Sequence, residues 1–284
     1  MIIARVRSGL GNQMFIYAAG RALAYRLGQD LKLDVSFFKT YPLRKFGLHH
    51  FAIDAKICPS QILRLQRLLA RLHLSPPCSI FREASPAYDP AFTGLKNNVV
   101  LQGFFQSEKY FSDIAHLLRK EFALRTALAE ELKEYSARIG ATNSVSVHVR
   151  RGDYVSDQSI SRRFGALNLD YYATAKTWMD RKLSRPTYYV ISDDVPYAEK
   201  YILPLFGSRG HLVPQFAEDY QHLMLMRSCR HHVIANSTFS WWGAWLADFP
   251  EKQVIAPATW FRNRGEIPLD IIPARWVAIE NGFS

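Results

Sequence analysis

The chain has 284 residues, 48% of them hydrophobic and 21% charged, which sets disorder aside and leaves room for one large domain or two modest ones. Lysine and arginine number 36 against 25 aspartate and glutamate, and the formal charge of +11 directs attention to anionic partners: nucleotide, nucleic acid or lipid headgroup. No apolar run approaches the ~18 residues that span a bilayer, and the amino terminus lacks the order of a signal peptide, so a cytoplasmic protein is expected.

The first predicted strand covers 2–6. A small loop follows, Ser8-Gly9-Leu10-Gly11-Asn12-Gln13, then an alanine-rich helix over 13–27 and a second strand at 31–35. The loop stands where nucleotide loops stand, yet it matches neither the dinucleotide fingerprint nor a Walker sequence. Gly11 lets backbone approach a ligand, and Asn12 offers both a donor and an acceptor. The pattern then becomes irregular, with helical stretches at 60–74, 107–122 and 127–139 and prolines marking loops at 76–77 and 85–90. Within 62–74, Ile62, Leu65, Leu69 and Leu72 share a helical face, with Arg64, Arg67 and Arg71 mostly elsewhere. That basic amphipathic pattern suits peripheral contact with anionic lipid, although an ordinary packed helix with a solvated basic face suits it better. Cys58, Cys78 and Cys229 are odd in number and widely spaced, which fits reduced thiols rather than a disulfide framework or a zinc site.

From residue 144 the chain becomes regular. Short β-rich runs at 144–149, 187–192, 211–213, 232–235 and 253–256 alternate with helical stretches at 170–181, 197–205, 218–227 and 238–248. This alternation predicts a parallel sheet with crossover helices, hence a Rossmann-like domain. The expected division is 1–142, 143–265 and a tail, 266–284, that returns to the first domain.

Ligands of open α/β sheets bind outside the carboxyl ends of the strands, and those ends are polar here. The strand at 144–149 ends in His148-Val149-Arg150-Arg151-Gly152-Asp153, the next in Ser192-Asp193-Asp194, and the fourth in Asn236-Ser237-Thr238 ahead of a helix. An arginine fork suits a diphosphate, and strand alternation turns only one of Arg150 and Arg151 toward it, leaving the other to hold the loop through a carboxylate such as Asp153. An Arg–Asp pair that merely ties a turn is the plain alternative. Asn236-Ser237-Thr238 reads as a second phosphate site or as a simple helix N-cap. Adjacent Asp193 and Asp194 diverge, with no third ligand at metal spacing, so no metal site is expected; one of them can accept from guanine or ribose, or cap the helix that follows. The aromatic cluster Phe239, Trp241, Trp242 and Trp245 reads as core before it reads as a sugar-stacking wall. Phe104, Phe105 and Tyr110 line an acceptor groove or fill a seam.

Five segments together resemble the bacterial alpha-1,2-fucosyltransferases of glycosyltransferase family eleven. They are Gly9 to Phe15, Gly103 to Phe111, His148 to Tyr154, Ile191 to Asp194 and Asn236 to Leu246, of which the last is long and rich in rare residues. The resemblance implies a GT-B architecture, two Rossmann-like α/β domains facing across a cleft, with the sugar nucleotide bound mainly by the second and the acceptor by the first. It implies an inverting galactoside alpha-1,2-fucosyltransferase that moves L-fucose from GDP-fucose to the 2-hydroxyl of a terminal galactose, in a glycan or a lipid-linked oligosaccharide, without a cofactor or metal. By matched positions, His148 and one of Asp193 or Asp194 contact guanosine, Arg150 the β-phosphate, and Ser237 and Thr238 the diphosphate, while Asn12 projects from the first domain. Asp153 is the candidate base, with Asp157 and Glu108 behind it, and Gln106 and Glu108 are acceptor-side candidates. Two rivals remain: a related transferase using another GDP-sugar or making another fucosyl linkage, and a noncatalytic nucleotide- or RNA-binding protein. The aromatics speak against RNA, because they cluster in apolar helices instead of alternating with Lys or Arg on exposed strands.

Overall fold

The computed structural model describes residues 1–41, 43–71, 78–262 and 270–284. They form two compact units, one holding Met1–Ala127 with Asp270 and Ile271, the other holding 128–262 with Ile272–Ser284. The helix Glu130–Gly140 precedes the division expected at 142/143, but its buried Leu132 and Ile139 pack against Tyr189, Ile191 and Leu225 of the second unit.

The first unit is built on strands β1 (Ile2–Arg5), β2 (Leu31–Asp34), β3 (Lys56–Ile57), β4 (Ser79–Arg82) and β5 (Val99–Gln102), all parallel, in the order β3-β2-β1-β5-β4. The helix Leu10–Leu27 crosses from β1 to β2 and ends at Gly28, whose left-handed φ of 60° an L side chain would resist. Strands β3, β4 and β5 lie in the stretch that reads as irregular: β3 has two residues, and a 3₁₀ turn, Pro90–Gly94, stands between β4 and β5 where a crossover helix is expected. The predicted helix at 107–122 is likewise broken into two 3₁₀ turns, Glu108–Tyr110 and Ser112–Ile114, and one helix, Ala115–Glu121.

On the helix Ser60–Arg71, Leu63 is buried and packs with Ile3, Cys58, Cys78 and Val100 while Ile62 flanks them. Leu65, expected on that face, is 49% exposed. Residues 72–74 of the predicted stretch and the Pro76-Pro77 loop fall outside the described residues. All three cysteines are buried thiols outside any disulfide.

The second unit carries β6 (Ser144–Val149), β7 (Thr187–Ser192), β8 (Gly210–Leu212), β9 (His231–Val233), β10 (Val254–Pro257) and β11 (Val277–Ile279), all parallel, in the order β11-β10-β9-β6-β7-β8. Counted from β6, this is the 3-2-1-4-5-6 order of a doubly wound nucleotide fold, with the strand order reversing between β6 and β9. β6 is buried along its whole length, as a central parallel strand must be. The helix Leu169–Lys182 starts on an Asn168 cap and buries Tyr171, Tyr172, Ala175 and Met179, one stripe at helical spacing. The tail adds β11 beside β10, while Asp270 accepts from the Tyr88 amide and pairs with Lys109 in the first unit. Among the described residues no helix is long and apolar enough to cross a membrane.

Candidate active site

The reversal of strand order in the second unit puts the carboxyl ends of β6 and β9 side by side, and β7 flanks them. Leaving β6, His148 is 4% exposed and its ring lies 5.9 Å from that of Phe239. Burial, with Arg150 and His222 nearby, pushes its pKa down to about 3, so the imidazole is neutral. Its Nδ1 is buried with no hydrogen-bond partner among the described residues, an unmet capacity that suits a ligand hydrogen bond.

Arg150 lies two residues on. One terminal nitrogen donates to Asp153 Oδ1 at 2.5 Å and the other pairs with Asp193 Oδ2 at 2.7 Å. Burial alone would favour the neutral guanidine, but Asp193 and Asp153 outweigh it and hold the group firmly charged. Asp153 is therefore the partner of Arg150, not of Arg151. Two of the five guanidinium donors point at carboxylates, so the fork is fixed in space before any ligand arrives.

Arg151 turns the other way, as strand alternation requires. Its Nε donates to Asp194 Oδ2 at 3.1 Å and its guanidinium stacks 3.5 Å from the Tyr197 ring centroid, while its backbone N–H donates to Asp193 Oδ1 at 2.8 Å. Asp193 thus grips both sides of the loop. It fits there because residue 152 is glycine: a Cβ at Gly152 would stand 2.7 Å from Asp193 Oδ2. Asp194 also caps the helical turn Val195–Tyr197 by accepting from the Tyr197 amide at 3.2 Å. Five charges, two cationic and three anionic, occupy the ends of β6 and β7. Among the described residues no group of three His, Cys, Asp or Glu side chains is placed to hold a metal ion.

At the end of β9, the Asn236 side-chain amide donates to the carbonyls of Phe164, Gly165 and Trp260, each at 3.1 Å, and the Asn236 backbone carbonyl accepts from Tyr154 Oη at 3.0 Å. Asn236 therefore ties three loops together. Ser237 caps the nine-residue helix Thr238–Leu246 by accepting from the Phe239 amide at 3.3 Å. The remaining first-turn amides and the positive end of the helix face the ends of β6 and β9, an anion-binding arrangement. Trp241, Trp242 and Trp245 are buried to within 1%; Trp241 and Trp245 are stacked and Trp242 meets both edge-on, so they are core and hold the helix in place. Asp157 caps the helix Gln158–Arg163, and hydrogen bonds from Ser159 and Ile160 hold its pKa below the usual carboxylate range.

The sequence-predicted residues of the first unit form a separate set. Asn12 donates to Ser8 Oγ at 3.0 Å and accepts from Gln106 Nε2 at 2.7 Å, linking the loop after β1 to the loop after β5. Gly11 is buried in the first turn of the helix behind it, and half-buried Glu108 opens the next 3₁₀ turn. Sequence reasoning passed over Glu83, whose carboxylate accepts from the amides of Phe104 and Phe105 at 2.7 and 2.8 Å. It also passed over Arg5 and Asp34, which end predicted strands and which the strand-end rule, applied to this half too, finds, and Gln102, which ends the unpredicted β5.

Residues 83–280 match glycosyl transferase family 11. The chain is 36% identical to an alpha-1,2-colitosyltransferase of Escherichia coli, with 99% of each chain covered. It is 29% identical to a galactoside alpha-(1,2)-fucosyltransferase 1 of Lagothrix lagotricha over 52% of this chain and 42% of that one. Among solved structures, the alpha-1,6-fucosyltransferase NodZ soaked with GDP-fucose superposes with a TM-score of 0.53 at 15% identity, covering 89% of this chain and 94% of that one, a likeness of fold. With two doubly wound parallel sheets and a nucleotide-type switch point in the second, the chain is a glycosyltransferase of the GT-B class and belongs to glycosyl transferase family 11.

Proposed function

We propose that this glycosyltransferase moves L-fucose from GDP-fucose to the 2-hydroxyl of a terminal galactose, with inversion and without a metal ion. The observation that carries the reading is Arg150, held by Asp153 and Asp193 at the switch point beside the start of the helix Thr238–Leu246. The acceptor oxygen bonds to C1 of fucose as the C1–oxygen bond to the β-phosphate breaks, and that electron pair leaves with GDP. Negative charge grows on the phosphate, where a fixed guanidinium and helix amides stabilise it more than they stabilise the ground state. His148 contacts the guanosine as a neutral imidazole, with Asp193 or Asp194 beside it. Asp153 takes the acceptor proton while its other link keeps Arg150 aimed. Galactose-terminated glycans, including lipid-linked oligosaccharides at the cytoplasmic membrane face, are the acceptor class.

A second donor has a specific observation behind it, because the relative matched over 99% of the chain is a colitosyltransferase, and colitose is the 3-deoxy counterpart of fucose. The deciding experiment offers GDP-fucose, GDP-colitose and GDP-mannose separately to galactose-terminated acceptors and reads the linkage by NMR. Fucose in an α-1,2 linkage is expected. Mannose transfer alone would sink the proposal, and a clear preference for colitose would replace the donor while leaving the site intact. Activity should persist in chelator, and restoration only by added divalent cation would reverse the metal-free reading.

A further inference from the structure

The first unit has a switch point of its own, where the strand order reverses between β1 and β5. A cavity of about 310 Å³ opens there, lined by Arg5, Arg7, Asp34, Phe37, Gln102 and Gly103 from the ends of β1, β2 and β5. That volume lies at the small end of ligand pockets, a size for one sugar ring rather than for a nucleotide sugar.

Its lining is set in advance. Asp34, 4% exposed, accepts from the Ser36 amide at 3.0 Å and stands 3.7 Å from Arg5 Nε. Arg5 in turn donates to Gln102 Oε1 at 3.1 Å, which leaves the Gln102 amide N–H groups as donors toward a ligand. Two non-glycine residues hold left-handed backbone at the rim, Ser8 (φ 68°) after β1 and Phe105 (φ 54°) after β5. Such a conformation is costly for a residue with a side chain and persists only where its surroundings dictate it. Glu83 does so for Phe105 through its two backbone hydrogen bonds, and it presses so closely on Gly103 that a Cβ there would stand 2.5 Å from the Glu83 Cβ.

Each arginine of the lining has an anionic neighbour: Arg5 faces Asp34, and Arg7, stacked 4.3 Å over Phe104, interacts with the Glu83 carboxylate behind Gly103. Fixed donors, a fixed acceptor and an aromatic ring are the recognition chemistry of an uncharged pyranose, whose hydroxyls need both donors and acceptors and whose C–H face needs an apolar partner. A sugar carboxylate would meet the buried Asp34.

We infer that this cavity is the acceptor-sugar subsite, that it takes an uncharged pyranose and rejects a uronate, and that Gln102, Asp34 and Phe37 determine this specificity. The inference rests on the transferase reading given above. Its test is Gln102→Ala, with Phe37→Ala as a second variant should the first fail to fold. Either change raises the KM for a galactose-terminated acceptor about tenfold, the effect of one lost hydrogen bond or ring contact. The GDP affinity by calorimetry and the slow hydrolysis of donor without acceptor stay within about twofold. Saturation-transfer NMR on the unaltered protein detects methyl β-galactoside and not methyl β-galacturonide, and the galactoside signal fades in the variants. An unchanged acceptor KM in a folded variant, or a GDP affinity that falls in step with it, overturns the assignment. Failure of the transferase reading looks different: no GDP-sugar is turned over by the unaltered protein, yet galactoside saturation remains and still depends on Gln102.

Discussion

Both units end a parallel sheet in a crevice at the reversal of strand order, and they furnish it from different materials. In the second unit the crevice is made of charge on a carboxylate frame: Arg150 and Arg151 against Asp153, Asp193 and Asp194, beside a helix start. In the first it is made of constrained backbone and balanced polar groups, with Ser8 and Phe105 in left-handed conformations and Glu83 fixing the loop. On the functions proposed for the two crevices, one topology serves two kinds of recognition. A site that stabilises a charged leaving group needs cations that do not reorganise, and carboxylates supply the anchoring; a site that reads hydroxyls needs atoms at fixed spacing, and a rigid loop supplies that.

The sharpest break in this comparison comes from Arg150→Ala. Removing one preorganised charge-assisted contact costs about 2.7–4 kcal/mol of transition-state stabilisation, so kcat should fall on the order of a hundred- to thousandfold. The acceptor KM, a property of the other unit, should hardly move. Arg150→Lys should recover little, since an ammonium cannot satisfy Asp153 and Asp193 in the same fork. Near-normal turnover in a folded Arg150→Ala protein removes the guanidinium from the reaction.

A smaller effect separates the units by pH. The buried His148 titrates at about 3 when folded and near 6.5 when unfolded, so below pH 6.5 the unfolded chain takes up a proton that the folded chain refuses. Stability from this residue is intact above pH 6.5 and declines as pH falls toward 3, by about 2 kcal/mol at pH 5. Burial lowers His231, to about 4, and His232 in the same sense, and both lie in the second sheet. Amide exchange should therefore show β6 and β9 loosening at pH 5 ahead of β1 and β5. Replacing His148 with Gln should return about 2 kcal/mol of that acid loss, read as a smaller shift of the urea midpoint between pH 7 and pH 5.

The second unit was the legible one. Its β6 and β7 run to six residues, strands alternate regularly with helices, and the strand-end rule points to His148, Arg150, Asp193 and Ser237. The pairing inside that set was not legible, because whether Asp153 grips Arg150 or Arg151 depends on a turn geometry fixed by Gly152 and Asp193 from another strand. In the first unit β3 has only two residues, and β4 and β5 are joined through a 3₁₀ turn, Pro90–Gly94, in place of a crossover helix, so regular strand–helix alternation does not mark them. Gln102 therefore lies at the end of an element that the periodicity does not mark, whereas Arg5 and Asp34 end strands that it does.

The smallest expected effect is read as a sign. Burial raises the Glu83 carboxyl above its ordinary value, outweighing the Phe104 and Phe105 amides and Arg7, which favour the ion. The folded chain then keeps a proton on Glu83 to higher pH than the unfolded chain does. Its contribution is present at and below 4.5, the ordinary glutamate value, and is lost as pH rises through the folded value, opposite in direction to His148. Glu83→Gln removes this slope while keeping an acceptor for one of the two amides. Its stability relative to the unaltered protein should improve as pH rises from 4.5 toward neutrality, measured as the difference in urea midpoints. If the unaltered protein instead gains on Glu83→Gln with rising pH, the two amides favour the ion more than burial opposes it. The Phe105 loop would then be held by charge, and the difference in material between the two crevices would shrink to one of degree.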